Sequence, residues 1–283
     1  MSPPLQTTPV AYAAAACEAA FSVAGIALMA WLMLAKAGRD RMVVRLQAWP
    51  VSGIDFACFI CCGFVGCAAA SSLGGFITHR AHLGSDASAV LGALCVDGGF
   101  LAGLAGFQAM VATRGGAGRA RIDRPLALKT GFATFLAATP LVFAVSWAWQ
   151  YALGKAGYPV ENQTVVDAFE SMHSVPLQWC FVALAATIVP AAEELVFRAG
   201  LFRFFRTRMP GWAANLATSV LFGAAHVDWS NHMAGLAALV PLVALSSVYC
   251  LAYERTGSIG TTIVAHSLFN LNMTLLILAG IGS

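Results

Sequence analysis

Charge is what this sequence has least of. Only 10% of its 283 residues are Asp, Glu, Lys or Arg, against roughly 25% in an ordinary soluble domain. With 59% hydrophobic residues and a mean hydropathy of +0.75, the chain cannot coat a water-facing surface. The apolar content also excludes disorder. A formal net charge of only +3, with no basic patch beside stacking aromatics, excludes nucleic acid as a partner. The opening stretch MSPPLQTTPV has no Lys or Arg. It therefore lacks the positive region of a secretory signal, and direct insertion into the bilayer is expected. Eight cysteines are present, but they fall in or beside apolar runs at no secreted-framework spacing, which excludes a disulfide scaffold. Neither an internal repeat nor a soluble domain is visible. What is left is an all-α fold, a polytopic integral membrane helical bundle.

Runs of ~20 apolar residues are long enough to cross a bilayer. They predict eight spans, at 9–35, 53–78, 87–112, 127–153, 177–197, 211–229, 233–253 and 258–281. The seams KAGRDRMVVRLQAWP and RGGAGRARIDRP are basic and carry Gly or Pro. With the N-terminus outside, fourteen of the sixteen Lys and Arg fall on the inner side, as the positive-inside rule requires. They are Lys36, Arg39, Arg41 and Arg45, then Arg114, Arg119, Arg121, Arg124 and Lys129, then Arg198, Arg203, Arg206 and Arg208, and finally Arg255. Only Arg80 and Lys155 remain outside. The outer stretch 155–176 is acidic, with Glu161, Asp167 and Glu170. Its Val165, Val166, Phe169 and Met172 recur at roughly helical spacing, which predicts a helix lying on the bilayer surface. Gly99 and Gly103 form a GxxxG pair that permits close helix approach, although a Gly-rich helix with no particular partner fits equally well. The expected organisation is a single membrane domain over 1–283, with four N-terminal helices (1–153) and a core (177–283). The expected location is multi-pass, in a bacterial inner (cytoplasmic) membrane.

Ionisable side chains are costly in lipid, and each marks a candidate site. The fifth predicted span carries PAAEELVFR, residues 190–198. Glu194 and Arg198 are four apart and share a helix face, so they can pair. Glu193 points about 100° away and is free for other work. Pro190 weakens the helix just upstream and leaves a backbone carbonyl unpaired near the pair. Arg203, Arg206 and Arg208 read as residues snorkelling to the inner interface. The sixth span carries Phe222 and His226, and the eighth carries His266 and Asn270, each pair at i,i+4 spacing. A carboxylate base, two imidazoles and a carboxamide are the equipment for activating a water and stabilising an oxyanion.

These three motifs, Glu193-Glu194-x-x-x-Arg198, Phe222-x-x-x-His226 and His266-x-x-x-Asn270, resemble in order and spacing those of the CPBP family. That family comprises the type II CAAX prenyl proteases and their bacterial relatives, also called the Abi family. The resemblance covers roughly residues 177–275; the first four spans match only as generic hydrophobic helices. It implies an intramembrane endopeptidase with an all-helical core. It further implies that Glu193 is the general base and that His226 holds or polarises the water. His266 and Asn270 would stabilise the oxyanion, and Glu194 with Arg198 would fix the helix. The implied partner is a membrane-embedded or lipid-anchored peptide or protein, CAAX-like or bacteriocin-related, met within the lipid bilayer.

Two other functions compete. A proton-coupled transporter would use Glu18, Asp97 and Glu193 as a relay. Transporters often show paired repeats, whereas here the polar groups concentrate in the last four spans. A non-catalytic scaffold would not need every catalytic residue type. No cofactor is expected. His226, His266 and one glutamate do form a possible zinc set. However, H-E-x-x-H is absent and the i,i+4 partner of His266 is Asn270, which favours metal-free catalysis. Several lesser candidates remain. Glu18 reads as a residue facing a wet cavity or the interface. Asp97, before Gly98 and Gly99, could line the substrate cavity, and Gln108 lies further along the same span. Cys58, Cys61 and Cys62 contain a CxxC spacing without a second ligand pair, which reads as helix packing. His79, His82 and His173 read as solvated loop residues, and Asp228 and His232 as groups behind His226.

Overall fold

The computed structural model describes residues 9–35, 44–112, 120–158, 169–227 and 232–281. Among them every regular element is helical. The order is α1 (Pro9–Leu34), α2 (Gly53–Ala81), α3 (Ser85–Ala112), α4 (Arg124–Lys155), α5 (Val175–Ala186) and α6 (Ile188–Glu194). A π-helical segment (Leu195–Phe202) follows, then α7 (Arg203–Arg206), α8 (Gly211–Ala225), α9 (His232–Thr256) and α10 (Ile259–Leu278). Lipid offers no partner for backbone N–H and C=O groups, so apolar sequence of this length must satisfy them within helices. Polar caps set several ends. The Ser52 side chain accepts the Asp55 N–H at 3.1 Å to start α2, and Asp123 accepts the Leu126 N–H at 3.3 Å to start α4. Outward faces carry exposed Ile54, Val65, Phe76 and Trp147, the surface a bilayer would cover.

Seven stretches are long and apolar enough to cross a membrane. The predicted fifth span is longer than expected: it runs over Val175–Arg206, 32 residues, not 177–197. Two irregularities divide it. Pro190 has no N–H to return to the preceding turn, and the helix breaks at Thr187, whose φ is −132° and ψ −66°. Beyond Glu194 the chain does not leave the bundle, because Arg198 is fully buried against Glu194. It winds on as a π-helix, a form that recurs at functional sites.

The predicted sixth span is shorter than expected. α8 has 15 residues, or ~22 Å at 1.5 Å per residue, below the ~30 Å of hydrocarbon. It ends at Ala225, with His226 as its C-cap; residues 228 and 229 of the expected span lie outside the described residues. Both departures remove a mismatch of depth. A span ending near Arg198 would leave Glu193 at the inner surface and His226 far above it. Glu193 is instead thirteen residues from Arg206, and His226 fifteen from Gly211. Both therefore sit ~20 Å from the same end of the bundle.

That end is defined by contacts among the basic seams. The Arg45 N–H donates to the Glu254 carbonyl at 2.9 Å, and the Ile259 N–H to that of Arg121 at 3.0 Å. Arg203 is buried and donates to the Gln47 carbonyl at 3.1 Å. Arg206 pairs with Glu254 at 2.5 Å, and Arg208 donates to the carbonyl of Val51. These three arginines do not snorkel freely. Arg203 and Arg208 pin residues 44–51 under the bundle, because that extended segment has carbonyls to satisfy, and Arg206 ties α7 to α9. At the opposite end Asp86 accepts the N–H groups of His173 and Ser174 at 2.9 and 2.8 Å. His79 lies in the last turn of α2 and is exposed, as are His82 and His173.

Gly99 and Gly103 do have a partner. A Cβ on Gly103 would lie 2.0 Å from the Cys62 carbonyl oxygen, and one on Gly66 2.3 Å from that of Gly99. α2 and α3 thus meet backbone to backbone. The cysteines of α2 are free thiols. The proposed surface helix is only partly visible, since Val165 and Val166 lie outside the described residues. Phe169 and Met172 are buried in a cluster with Val182, so these two face protein and not lipid. Charge counting puts both termini on the outer side. A periplasm-active reporter fused to Ser283 and a cytoplasm-active one within 114–125 are both expected to be active; inverted activities would overturn the orientation.

Candidate functional site

The break at Thr187 and the π-helix downstream aim two adjacent glutamates into the centre of the bundle. Glu194 is fully buried, and its Oε1 receives two donors. Arg198 Nη1 lies 2.9 Å from it and His266 Nδ1 2.8 Å. The Arg198 guanidinium is held between two rings, 4.5 Å from the centroid of Phe222 and 5.2 Å from that of Tyr249. An ion pair this deep has lost its hydration, and the aromatic faces supply part of the compensation. The sequence spacing of Glu194 and Arg198 anticipates this pair. Its second partner, His266, comes from α10, 72 positions away.

Glu193 faces the other way and is accessible, with 19% of its side chain exposed. Its Oε1 lies 3.3 Å from His226 Nε2, and its Oε2 lies 3.7 Å from His266 Nε2. His226 Nδ1 is 2.7 Å from the Phe222 carbonyl oxygen. That oxygen can only accept, so Nδ1 carries a proton and Nε2 is the atom turned to the carboxylate. His266 is fixed in the same sense, its Nδ1–H donated to Glu194. Both rings therefore present Nε2 to Glu193, each oriented from behind by an acceptor. The carboxylate and the ring nitrogen meet at 3.3 Å, within hydrogen-bond reach.

Asn270 lies one turn beyond His266 on α10. Its carboxamide donates to the Ala185 carbonyl at 3.0 Å, beside the break between α5 and α6. That carbonyl belongs to Ala185, one residue before the Ala186 carbonyl that Pro190 cannot meet, and one of the two Asn270 N–H groups is already committed to it. Glu18 is capped: its Oε2 accepts from Asn272 at 2.7 Å, tying α1 to α10. Asp97 interacts electrostatically with both Glu193 and His226. Asp228 and the side chain of His232 lie outside the described residues. Among the described residues no group of three or more His, Cys, Asp or Glu is arranged to hold a metal ion.

Sequence reasoning missed Tyr249. It is fully buried, and its ring lies 5.3 Å from that of His266. Tyr249 and Tyr253 lie in one apolar span without a motif, and only the contact with Arg198 singles out Tyr249.

Residues 175–272 match the family model described as "Type II CAAX prenyl endopeptidase Rce1-like". The matched segment runs from the start of α5 into α10, just past Asn270, and contains all seven residues named in the three motifs. No curated protein and no solved structure matches the chain.

Proposed function

We propose that this multi-pass membrane protein, whose α5–α10 segment is Rce1-like, is an intramembrane endopeptidase that uses Glu193 to activate water. The observation that carries the reading is the convergence of two imidazole Nε2 atoms on one accessible carboxylate, deep within the span. A water held beside the Glu193–His226 pair loses its proton to Glu193 as its oxygen attacks the substrate carbonyl. The oxyanion that forms is stabilised by His266, whose imidazolium form Glu194 supports from behind, and by the remaining N–H of Asn270. Glu193 then returns the proton to the departing amine. Glu194 and Arg198 do not touch the reacting atoms and act by holding His266 in place. α4 packs along α9 and α10, which supports one membrane domain and not two. The charge asymmetry of the loops supports a bacterial inner membrane, and the likeness of residues 175–272 to the CAAX endopeptidase family supports a lipid-anchored or membrane-embedded protein as substrate.

The direct test compares membrane peptides from cells carrying wild-type protein or Glu193→Gln by mass spectrometry. Cleavage products present only with the wild type are expected; identical peptide sets would overturn the reading. Asn270→Ala removes an oxyanion donor and is expected to lower kcat by roughly 10²–10³; unchanged kcat in detergent would remove Asn270 from the site. Activity is expected to survive prolonged treatment with a strong zinc chelator, with no stoichiometric zinc by elemental analysis. Loss on chelation and return on adding zinc would make His226 and His266 ligands.

A further inference from the structure

α3 packs against α2 and against α5 and α6. Gly99 and Gly103 meet the α2 backbone, and Phe100 lies against Gly63 of α2. Leu104, Phe107 and Val111 are buried at the seam between these neighbours, in a cluster with Phe59 of α2 and with Leu195 and Val196 of the glutamate helix. Asp97 is seven residues before Leu104. At 3.6 residues per turn the two lie within ~20° of each other around the helix, so Asp97 shares the face of Leu104, which borders the cluster that takes in Leu195. It sits two turns nearer the outer end, beside the end of α6 that carries Glu193. Its electrostatic coupling to Glu193 and His226 agrees with that position.

The other two carboxylates of the site are occupied. Glu194 is closed by Arg198 and His266, and Glu193 by His226. Among the described residues no Lys or Arg forms an ion pair with Asp97. Twelve residues into α3, this is a mid-span carboxylate, costly unless a positive partner is supplied. Arg198, the arginine of the neighbouring glutamate helix, is already held by Glu194 and two aromatic rings.

We propose that Asp97 is an anionic substrate subsite, which takes a Lys or Arg side chain next to the bond hydrolysed at Glu193. The inference rests on the endopeptidase reading and adds a substrate preference to it. Asp97 lies outside the matched segment 175–272, so the preference belongs to the N-terminal helices and not to the hydrolytic machinery.

The test uses the full-length protein in detergent, a mixed tryptophan-tagged peptide library, and mass-spectrometric mapping of cut sites. The wild type is expected to cut where Lys or Arg lies within about three residues of the bond. Asp97→Asn should lower kcat/KM for those peptides, through KM, at least about tenfold more than it lowers kcat/KM for neutral peptides. Asp97→Glu should restore the preference, and Asp97→Lys should turn it toward Asp and Glu. A merely structural role predicts equal losses for all peptides and no reversal. Cut-site profiles that are the same for the wild type and Asp97→Lys, or a uniform loss across peptides in every Asp97 variant, would overturn the subsite. If Glu193→Gln is inactive in the same assay, the endopeptidase reading survives that failure. A wild type that cuts nothing would remove both.

Discussion

Glu193→Gln is expected to abolish peptide cleavage while leaving the fold intact. The substitution keeps the shape of the side chain and an acceptor oxygen for His226, but it removes the base. General bases contribute about 10²–10⁴ in rate, and here the same group also returns the proton, so the loss should reach the upper end of that range. Stability should hardly change. Glu193 is partly exposed, makes one hydrogen bond at 3.3 Å, and has its second carboxylate oxygen without a hydrogen-bond partner. Glu193→Asp separates chemistry from geometry. It keeps the base but withdraws it by about one methylene, and a misplacement of ~1 Å can cost 10²-fold. The expected order is wild type, then Asp, then Gln, read as kcat on any peptide the wild type cleaves. A Gln variant within tenfold of the wild type would take Glu193 out of the mechanism.

Much of this site is written locally, and what is local is legible in the sequence. The i,i+4 spacing of Glu194 and Arg198 gives their pairing at 2.9 Å, and the GxxxG of α3 gives a real close contact. The loop charges predict which seams share one end, and Arg45, Arg121 and Arg206 do meet Glu254 and Ile259 there. What is not legible depends on partners distant in sequence. Arg203 looks like an interface residue until residues 44–51 supply the carbonyls it satisfies. The fifth span reads too short because Arg198 has the character of a boundary residue. Only the burial of its partner makes it an interior one, after which the helix can continue to Arg206. The π-helix has no composition of its own. The shared face with His266 brings Asn270 into the site, but only the break at Thr187 explains its hydrogen bond to Ala185.

Arg198→Leu should fail in a different way. Glu194 and Arg198 are both fully buried, so removing the guanidinium strands a carboxylate whose remaining donor is His266, at 2.8 Å. Breaking a buried pair from one side costs on the order of 3–5 kcal/mol, a large part of the ~5–15 kcal/mol that holds a typical domain together. The cation between Phe222 and Tyr249 is lost as well. Low yield and a depressed Tm in detergent are expected, with any residual activity tracking the folded fraction. A second change distinguishes charge from packing. Adding Glu194→Gln to Arg198→Leu removes the stranded charge, and replacing both members of a buried pair is often neutral or stabilising. The double variant should therefore recover Tm relative to Arg198→Leu alone. It should not recover activity, because an uncharged carboxamide behind His266 cannot support the imidazolium. If the double variant is no more stable than the single one, the ion pair is not what Arg198 contributes, and its packing between the two rings is.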